Sequence, residues 1–148
     1  MSKQYDPRMH TAEHVLNGVM DAFLGCGRCF SAHINPKKSK CDYRFQRDLT
    51  ANEAAEVEAR VNAILGGAHP VTESFLPRAE AEARFNLGRL PDDAGETVRI
   101  IHIGEHDVCP CIGEHVSNTV EIGHLRIISH DHADGVLRLR FKLEQATA

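Results

Sequence analysis

Two pairs of side chains stand at spacings that suit metal coordination. His10 and His14 are four residues apart near the start of the chain, and Cys111 and His115 repeat this separation much later. On a helix, residues four apart share one face, with Cβ atoms about 5–6 Å apart. Three imidazoles and one thiolate form a set of nitrogen and sulfur ligands that zinc prefers in tetrahedral geometry. The sequence therefore predicts a composite zinc site, closed by tertiary folding, at these four residues.

The first pair falls within a predicted helix. Asp6 is a favourable N-cap, Pro7 suits the first helical position, and Gly25 ends the helix. Apolar residues at helical spacing predict a face packed on the core, namely Met9, Ala12, Val15, Leu16, Val19, Met20 and Phe23. A second, polar face carries both histidines, and its members are His10, Glu13, His14 and Asn17.

The rest of the chain predicts strands grouped as hairpins, with helices between them. A capping box at Thr50 and Glu53 opens a second helix that stops at Gly66, and Pro77 opens a short helix to about Phe85. Strands are predicted at residues 29–33, 40–45, 71–75, 97–103, 122–129 and 136–143, and a loop at 90–95. This order favours an α+β fold, an antiparallel sheet with packed helices in a two-layer sandwich, as a single domain over residues 1–148.

The sequence around both pairs resembles one known family. Residues 10–16, His-Thr-Ala-Glu-His-Val-Leu, resemble the helix motif of the editing domain shared by alanyl- and threonyl-tRNA synthetases. Residues 111–116, Cys-Ile-Gly-Glu-His-Val, resemble its Cys-Gly-Gly-Thr-His segment, and residues 119–127 resemble the Gly-Glu-Ile-Gly strand that follows. Between them, residues 41–45, 49–53 and 59–62 look like its acidic-aromatic strand and the next helix. The resemblance extends from about His10 to Phe141.

The resemblance implies a short, stand-alone alanyl-tRNA editing protein without the N-terminal barrel of the larger forms. Such a protein is a zinc-dependent hydrolase that cleaves the ester between a wrongly attached amino acid and the 3′ adenosine of tRNA. The expected substrate is Ser or Gly on the tRNA for alanine, bound at its acceptor end. Glu114 replaces the family's usual Thr and Ile112 replaces a Gly. These departures alter the pocket wall and leave the amino acid open.

Glu13 is the candidate catalytic residue. The family often has Thr here, whereas a carboxylate could orient a water, act as a general base or accept a hydrogen bond from a ligand histidine. A solvated helix glutamate is the alternative.

Four protein ligands are typical of a structural zinc, because a catalytic zinc keeps a position for water. One ligand could release, the zinc could become five-coordinate, or the metal could mainly orient the substrate.

Basic residues concentrate in one predicted turn. Lys37, Lys38 and Lys40 lie there, with Arg44 and Arg47 nearby, whereas the formal net charge is −4. The chain therefore cannot bind nucleic acid by overall charge. The three lysines are candidates for tRNA phosphate contacts, and a solvated basic loop is the alternative.

The five cysteines allow a rival arrangement. Cys26 and Cys29 form a CxxC that could be redox-active or could combine with Cys109 and Cys111 as a four-thiolate zinc site. Buried thiols are the plain interpretation for Cys26, Cys29, Cys41 and Cys109. The N-terminus lacks a signal peptide, and no apolar run approaches the ~20 residues of a membrane span. We therefore expect a cytoplasmic protein with thiols, no membrane association and no obligate protein partner.

Two other classes of function stay open from the sequence. One is a zinc hydrolase of another small acyl ester or amide that does not use tRNA, which the net acidity favours. The other is a non-enzymatic domain with a structural zinc.

Overall fold

The structure, a computed structural model, describes residues 6–35, 37–85, 96–111 and 113–144. In these residues it has three helices: α1 (Pro7–Leu24), α2 (Ala51–Leu65) and α3 (Arg78–Arg84). The strands are β1 (Ser31–His33), β2 (Ser39–Arg44), β3 (Val71–Pro77), β4 (Thr97–Ile103), β5 (Asp107–Pro110), β6 (His124–Ala133) and β7 (Val136–Glu144). The predicted α+β class is confirmed, while the predicted loop at 90–95 lies outside the described residues.

The strands form two antiparallel sheets rather than one. The first has the order β1-β2-β7-β6, and the second has the order β3-β4-β5. In the first sheet β6 and β7 form the predicted hairpin, and β7 then pairs with β2 from the first third of the chain. Distant segments are thereby joined around one core.

Helix α1 is bounded as its sequence predicts. The Asp6 carboxylate accepts hydrogen bonds from the backbone N–H groups of Arg8 and Met9, and Gly25 ends the helix with φ 69°. The apolar face belongs to the main core, together with inward residues of β7 such as Leu139 and Phe141, both fully buried. Along β7, the buried residues Leu137, Leu139 and Phe141 alternate with partly buried neighbours.

The polar face of α1 is buried as well. His10, Glu13, His14 and Asn17 are 6%, 3%, 3% and 1% exposed. Burial of polar groups is costly unless they are hydrogen-bonded or paired. This face must therefore find its partners inside the protein, and it does so at the site described below.

Helix α2 is fastened to an outer strand of the first sheet. Its capping box at Thr50 and Glu53 is formed as predicted. The Asn62 side chain makes both backbone hydrogen bonds of Leu125. Its Nδ2 donates to the Leu125 carbonyl and its Oδ1 accepts from the Leu125 N–H, both at 2.8 Å. Glu58 accepts from the Ile127 N–H at 2.7 Å. These side chains satisfy backbone groups of β6 that lack a strand partner on that side.

Two local details differ from the sequence predictions. Strand β5 was not predicted, because four residues without clear alternation give little signal. The strand predicted at 122–129 spans His124–Ala133, and a 3₁₀ turn at Thr119–Glu121, with Asn118 as its N-cap, precedes it. Among the described residues, no helix is long and apolar enough to cross a membrane.

Candidate metal centre

The fold brings the four predicted ligands to one place. His10 and His14 come from α1, and Cys111 and His115 come from the segment after β5. Ligand atoms from the four side chains lie within 4.8 Å of one another. The first pair uses helical spacing as predicted, but residues 111 and 113–115 are not helical. The second pair is therefore aligned by tertiary contacts rather than by a helix.

The Nδ1 atoms of two imidazoles are held by uncharged acceptors. His10 Nδ1 lies 3.1 Å from the carbonyl oxygen of Glu114, and a carbonyl can only accept, so this Nδ1 carries a proton. His115 Nδ1 lies 2.9 Å from Thr11 Oγ1. That hydroxyl already donates to the Pro7 carbonyl at 2.9 Å, so it accepts from His115.

These hydrogen bonds leave the Nε2 atoms for the cluster. His10 Nε2 is 3.4 Å from Cys111 Sγ. His115 Nε2 is buried and has no hydrogen-bond partner among the described residues. A buried lone pair without a partner is costly, and coordination to a cation would satisfy it. The donor set therefore fits a metal ion.

The charges of the cluster also favour a cation. Burial by itself raises the pKa of the Cys111 thiol, but the surrounding imidazoles outweigh it and bring the pKa down to about 3. Burial lowers the pKa of His14, but Asp107 and Cys111 outweigh it and raise the pKa to about 9. Without metal, the cluster pairs a thiolate with an imidazolium. A bound cation would replace the imidazolium proton beside that thiolate.

Glu13 lies beside the cluster and is not a solvated surface residue. Its Oε1 is 3.9 Å from His10 Nε2. Its Oε2 accepts hydrogen bonds from Asn17 Nδ2 at 2.7 Å and from the Cys29 thiol at 3.3 Å. Asn17 is fixed in turn, because its Oδ1 accepts from the Tyr43 hydroxyl at 2.7 Å and from the Cys29 N–H at 3.1 Å. The alternative of a solvated Glu13 is wrong.

The rival four-thiolate site is not assembled in the described part of the chain. The second group of possible ligands there joins Glu13 with Cys29 and Cys41, all buried, without Cys26 or Cys109. Burial raises the pKa of Cys26 to about 11 and that of Cys109 to about 12, which keeps both as thiols at neutral pH.

The lysines lie around the β1–β2 turn, where the sequence predicts them. Lys37 and Lys38 are exposed in that turn, and Lys40 is partly buried on β2. Of the two nearby arginines, Arg47 is paired with Glu53 at 2.7 Å, and Arg44 stacks on the Phe30 ring at 4.0 Å. The lysines stay candidates for phosphate contacts.

The protein is thus an α+β domain with a candidate metal centre. Two of the proposed ligands lie on α1, and the other two lie in the segment after β5. Part of the chain matches a known family. Residues 98–140 match the family described as threonyl and alanyl tRNA synthetase second additional domain. This match agrees with the resemblance that the sequence motifs indicate, to a domain shared by alanyl- and threonyl-tRNA synthetases.

Similarity to known proteins extends over most of the chain. This chain is 34% identical over 138 residues to an alanine–tRNA ligase of Ignicoccus hospitalis, and 31% identical over 140 residues to an alanine–tRNA ligase of Metallosphaera sedula. Each match covers 90% of this chain and 15% of the ligase. An alanine–tRNA ligase of Methanococcus maripaludis is 31% identical over 141 residues, which is 90% of the chain and 16% of that ligase. The chain thus spans about 15% of the length of these relatives.

Proposed function

We propose that this protein is a zinc-dependent hydrolase that removes wrongly attached amino acids from tRNA, as one domain over residues 1–148. The observation that carries the proposal is the convergence of His10, His14, Cys111 and His115 within 4.8 Å, in a chain related to a segment of alanine–tRNA ligases. Editing in trans by a cytoplasmic protein is part of the proposal.

Zinc is the metal that suits the donors best. Three imidazole nitrogens and one thiolate sulfur match its borderline-soft character, whereas magnesium and calcium prefer oxygen ligands. When bound, zinc would supply Lewis-acid polarisation of the ester carbonyl. The protein would contribute the fixed orientation of its ligands, with Nδ1 of His10 and His115 engaged elsewhere.

We assign to Glu13 the handling of the attacking water. Asn17 and Cys29 hold its Oε2, and its Oε1 lies on the side of His10. A carboxylate held in this way can orient a water molecule and accept its proton as the ester is attacked. Because Glu13 is buried, its carboxylate has little contact with bulk water. It would therefore act on a water molecule bound in the site.

The proposed substrate is Ser or Gly esterified to the tRNA for alanine, bound at the acceptor end, with Lys37, Lys38 and Lys40 contacting phosphates. A site that hydrogen-bonds a hydroxyl discriminates strongly, whereas an apolar pocket does not. Glu114 is exposed next to a proposed ligand, and it places a carboxylate where relatives in this family usually have a hydroxyl. We expect this difference to affect the choice of amino acid.

The deciding experiment measures release of amino acid from a panel of mischarged tRNAs, with correctly charged alanyl-tRNA as the reference. Hydrolysis of seryl or glycyl esters on the tRNA for alanine, lost after metal removal and restored by zinc, is the expected result. Hydrolysis of small acyl esters but of no aminoacyl-tRNA would favour the tRNA-independent hydrolase. If the protein folds and binds zinc but hydrolyses neither class of substrate, it is a non-enzymatic domain with a structural zinc. Four protein donors are typical of such a zinc.

A further inference from the structure

Asp107, at the start of β5, faces the outer nitrogen of one proposed ligand. Its Oδ2 lies at an ion-pair distance of 3.5 Å from Nδ1 of His14, a buried nitrogen that has no hydrogen-bond partner among the described residues, and the two side chains are 5% and 4% exposed. The other two imidazoles face uncharged oxygens, those of Glu114 and Thr11. Of these contacts at the Nδ1 atoms of the three histidines, the one at His14 is to a negatively charged group.

Arg28 holds the Asp107 carboxylate through both of its oxygens. Its Nη1 donates to Oδ1 at 2.6 Å and its Nη2 donates to Oδ2 at 3.1 Å. A two-pronged pair of this kind sets both the position and the plane of a carboxylate. Asp107 is therefore held by a residue from the α1–β1 connection and cannot turn freely away from His14.

Gly18 allows this approach of β5 to α1. It follows His14 by one helical turn, so both lie on the same face. A Cβ at Gly18 would stand 3.2 Å from Asp107 Oδ1 and 3.2 Å from the His106 carbonyl oxygen. Contacts this close leave little room for a side chain, and the absence of one brings the carboxylate within reach of the imidazole.

We infer that Asp107, held by Arg28, is a positioning residue that orients His14 for metal binding. A carboxylate on Nδ1 fixes the tautomer and the ring plane, so that Nε2 is presented to the metal and becomes more basic. The inference deepens the metal site proposed above and rests on it. Loss of such a partner typically weakens metal binding about 10–100-fold.

The test compares two substitutions of the same kind. Asp107→Asn keeps size but removes the charge, and the matched control is Asp42→Asn. Asp42 forms a similar two-pronged pair with Arg138, at 2.7 and 2.9 Å, away from the cluster. Zinc affinity is measured by competition with a chelator, and the absorption of the cobalt-substituted protein reports ligand geometry. We expect about 10–100-fold weaker zinc binding for Asp107→Asn and unchanged binding for Asp42→Asn.

A second variant covers the case in which Asp107→Asn folds poorly. Gly18→Ala retains both Asp107 and Arg28, but its Cβ must push the carboxylate by a few tenths of an ångström. We expect weaker zinc binding and an altered cobalt spectrum, with a smaller loss than for Asp107→Asn. Thermal unfolding of each metal-free variant separates these effects from a change in stability.

The results distinguish failure of this inference from failure of the metal site. If the unsubstituted protein binds one zinc and both Asp107→Asn and Gly18→Ala bind it equally well, Asp107 has no positioning role and the site stands. Equal losses in Asp107→Asn and Asp42→Asn would also overturn the inference, because the effect would then follow stability. If the unsubstituted protein binds no zinc, the proposed site is wrong, and the inference with it.

Discussion

The hydroxyl of Thr11 lies 2.9 Å from Nδ1 of His115, a residue from a distant segment of the chain. Thr11 stands between the two helical histidines, and its hydroxyl also accepts from the Val116 N–H at 3.2 Å. Helix α1 therefore supplies two proposed ligands and also the group that orients a third. The sequence does not indicate this role, because a threonine in a helix gives no signal for it.

Replacing Thr11 by Val removes these hydrogen bonds while keeping the shape of the side chain. We expect a loss of about 1–3 kcal/mol in the free energy of unfolding, because the buried Val116 N–H loses its acceptor. Zinc binding should weaken about tenfold as His115 loses its orienting partner. Denaturant unfolding and chelator competition measure the two effects.

The matched control for Thr11→Val is Thr119→Val. Thr119 is also fully buried, and its hydroxyl accepts from the His69 N–H at 2.9 Å, away from the proposed ligands. We expect Thr119→Val to lower stability without changing zinc affinity. Equal zinc affinity for the two variants would contradict an orienting role for Thr11.

Metal content should follow the four proposed ligands. We expect one zinc per chain in the unsubstituted protein, and sharply reduced zinc in His10→Ala and Cys111→Ala. Cys26→Ala is the control, because its thiol contacts the Met20 carbonyl and does not join the cluster. Elemental analysis of the purified variants provides the measurement. If zinc were lost only with changes at Cys26 and Cys29, the ligand assignment would be wrong.

Glu13 should matter more for turnover than for metal binding. Glu13→Gln preserves the size of the side chain, so we expect it to keep fold and zinc. The rate of deacylation should fall by roughly 10²–10⁴ if the carboxylate accepts a proton. A loss of about tenfold would instead suit an orienting role. Single-turnover kinetics on a mischarged tRNA, with zinc content measured in parallel, checks this.

Glu58→Gln provides a control carboxylate on α2. Glu58 contacts the Ile127 N–H rather than the cluster, so the hydrolysis rate should not depend on its charge. An unchanged rate in Glu13→Gln at full zinc occupancy would leave the reaction to the metal and the pocket.

Neutralising Lys37, Lys38 and Lys40 together should weaken tRNA binding without changing the chemical step. Each lost phosphate contact lowers the dependence of log affinity on log salt by about one. Binding titrations at several salt concentrations measure this slope, and single-turnover rates at saturating enzyme isolate the chemistry. Lys142→Ala, on β7, is a control for a general loss of positive charge. If the triple variant binds tRNA as tightly as the unsubstituted protein at both low and high salt, the turn is ordinary surface.

Local features of this protein were predictable because they depend on neighbours in the chain. The N-cap at Asp6 and the stop at Gly25 set the bounds of α1, and the capping box at Thr50 opened α2 as predicted. The alternation of β7 also corresponds to its burial. Caps and periodic patterns act within a few residues, so the sequence contains their full geometry.

The candidate site was predictable only in its residue types. Spacing and motifs indicated His10, His14, Cys111 and His115, but the second pair is not helical and is brought to the first by the packing of β5 on α1. Tertiary packing also buries Glu13, beside Cys29 and Cys41, whereas the sequence left it undecided between a solvated and a functional position.

The sequence by itself thus determined most of the helices and strands, the α+β class and the donor atoms available to a metal. Only the tertiary structure decided which donors meet and which groups orient them, including Thr11 and Asp107. The physical reason is that such contacts join segments far apart in the chain, whereas helix and strand periodicities extend only over neighbouring residues.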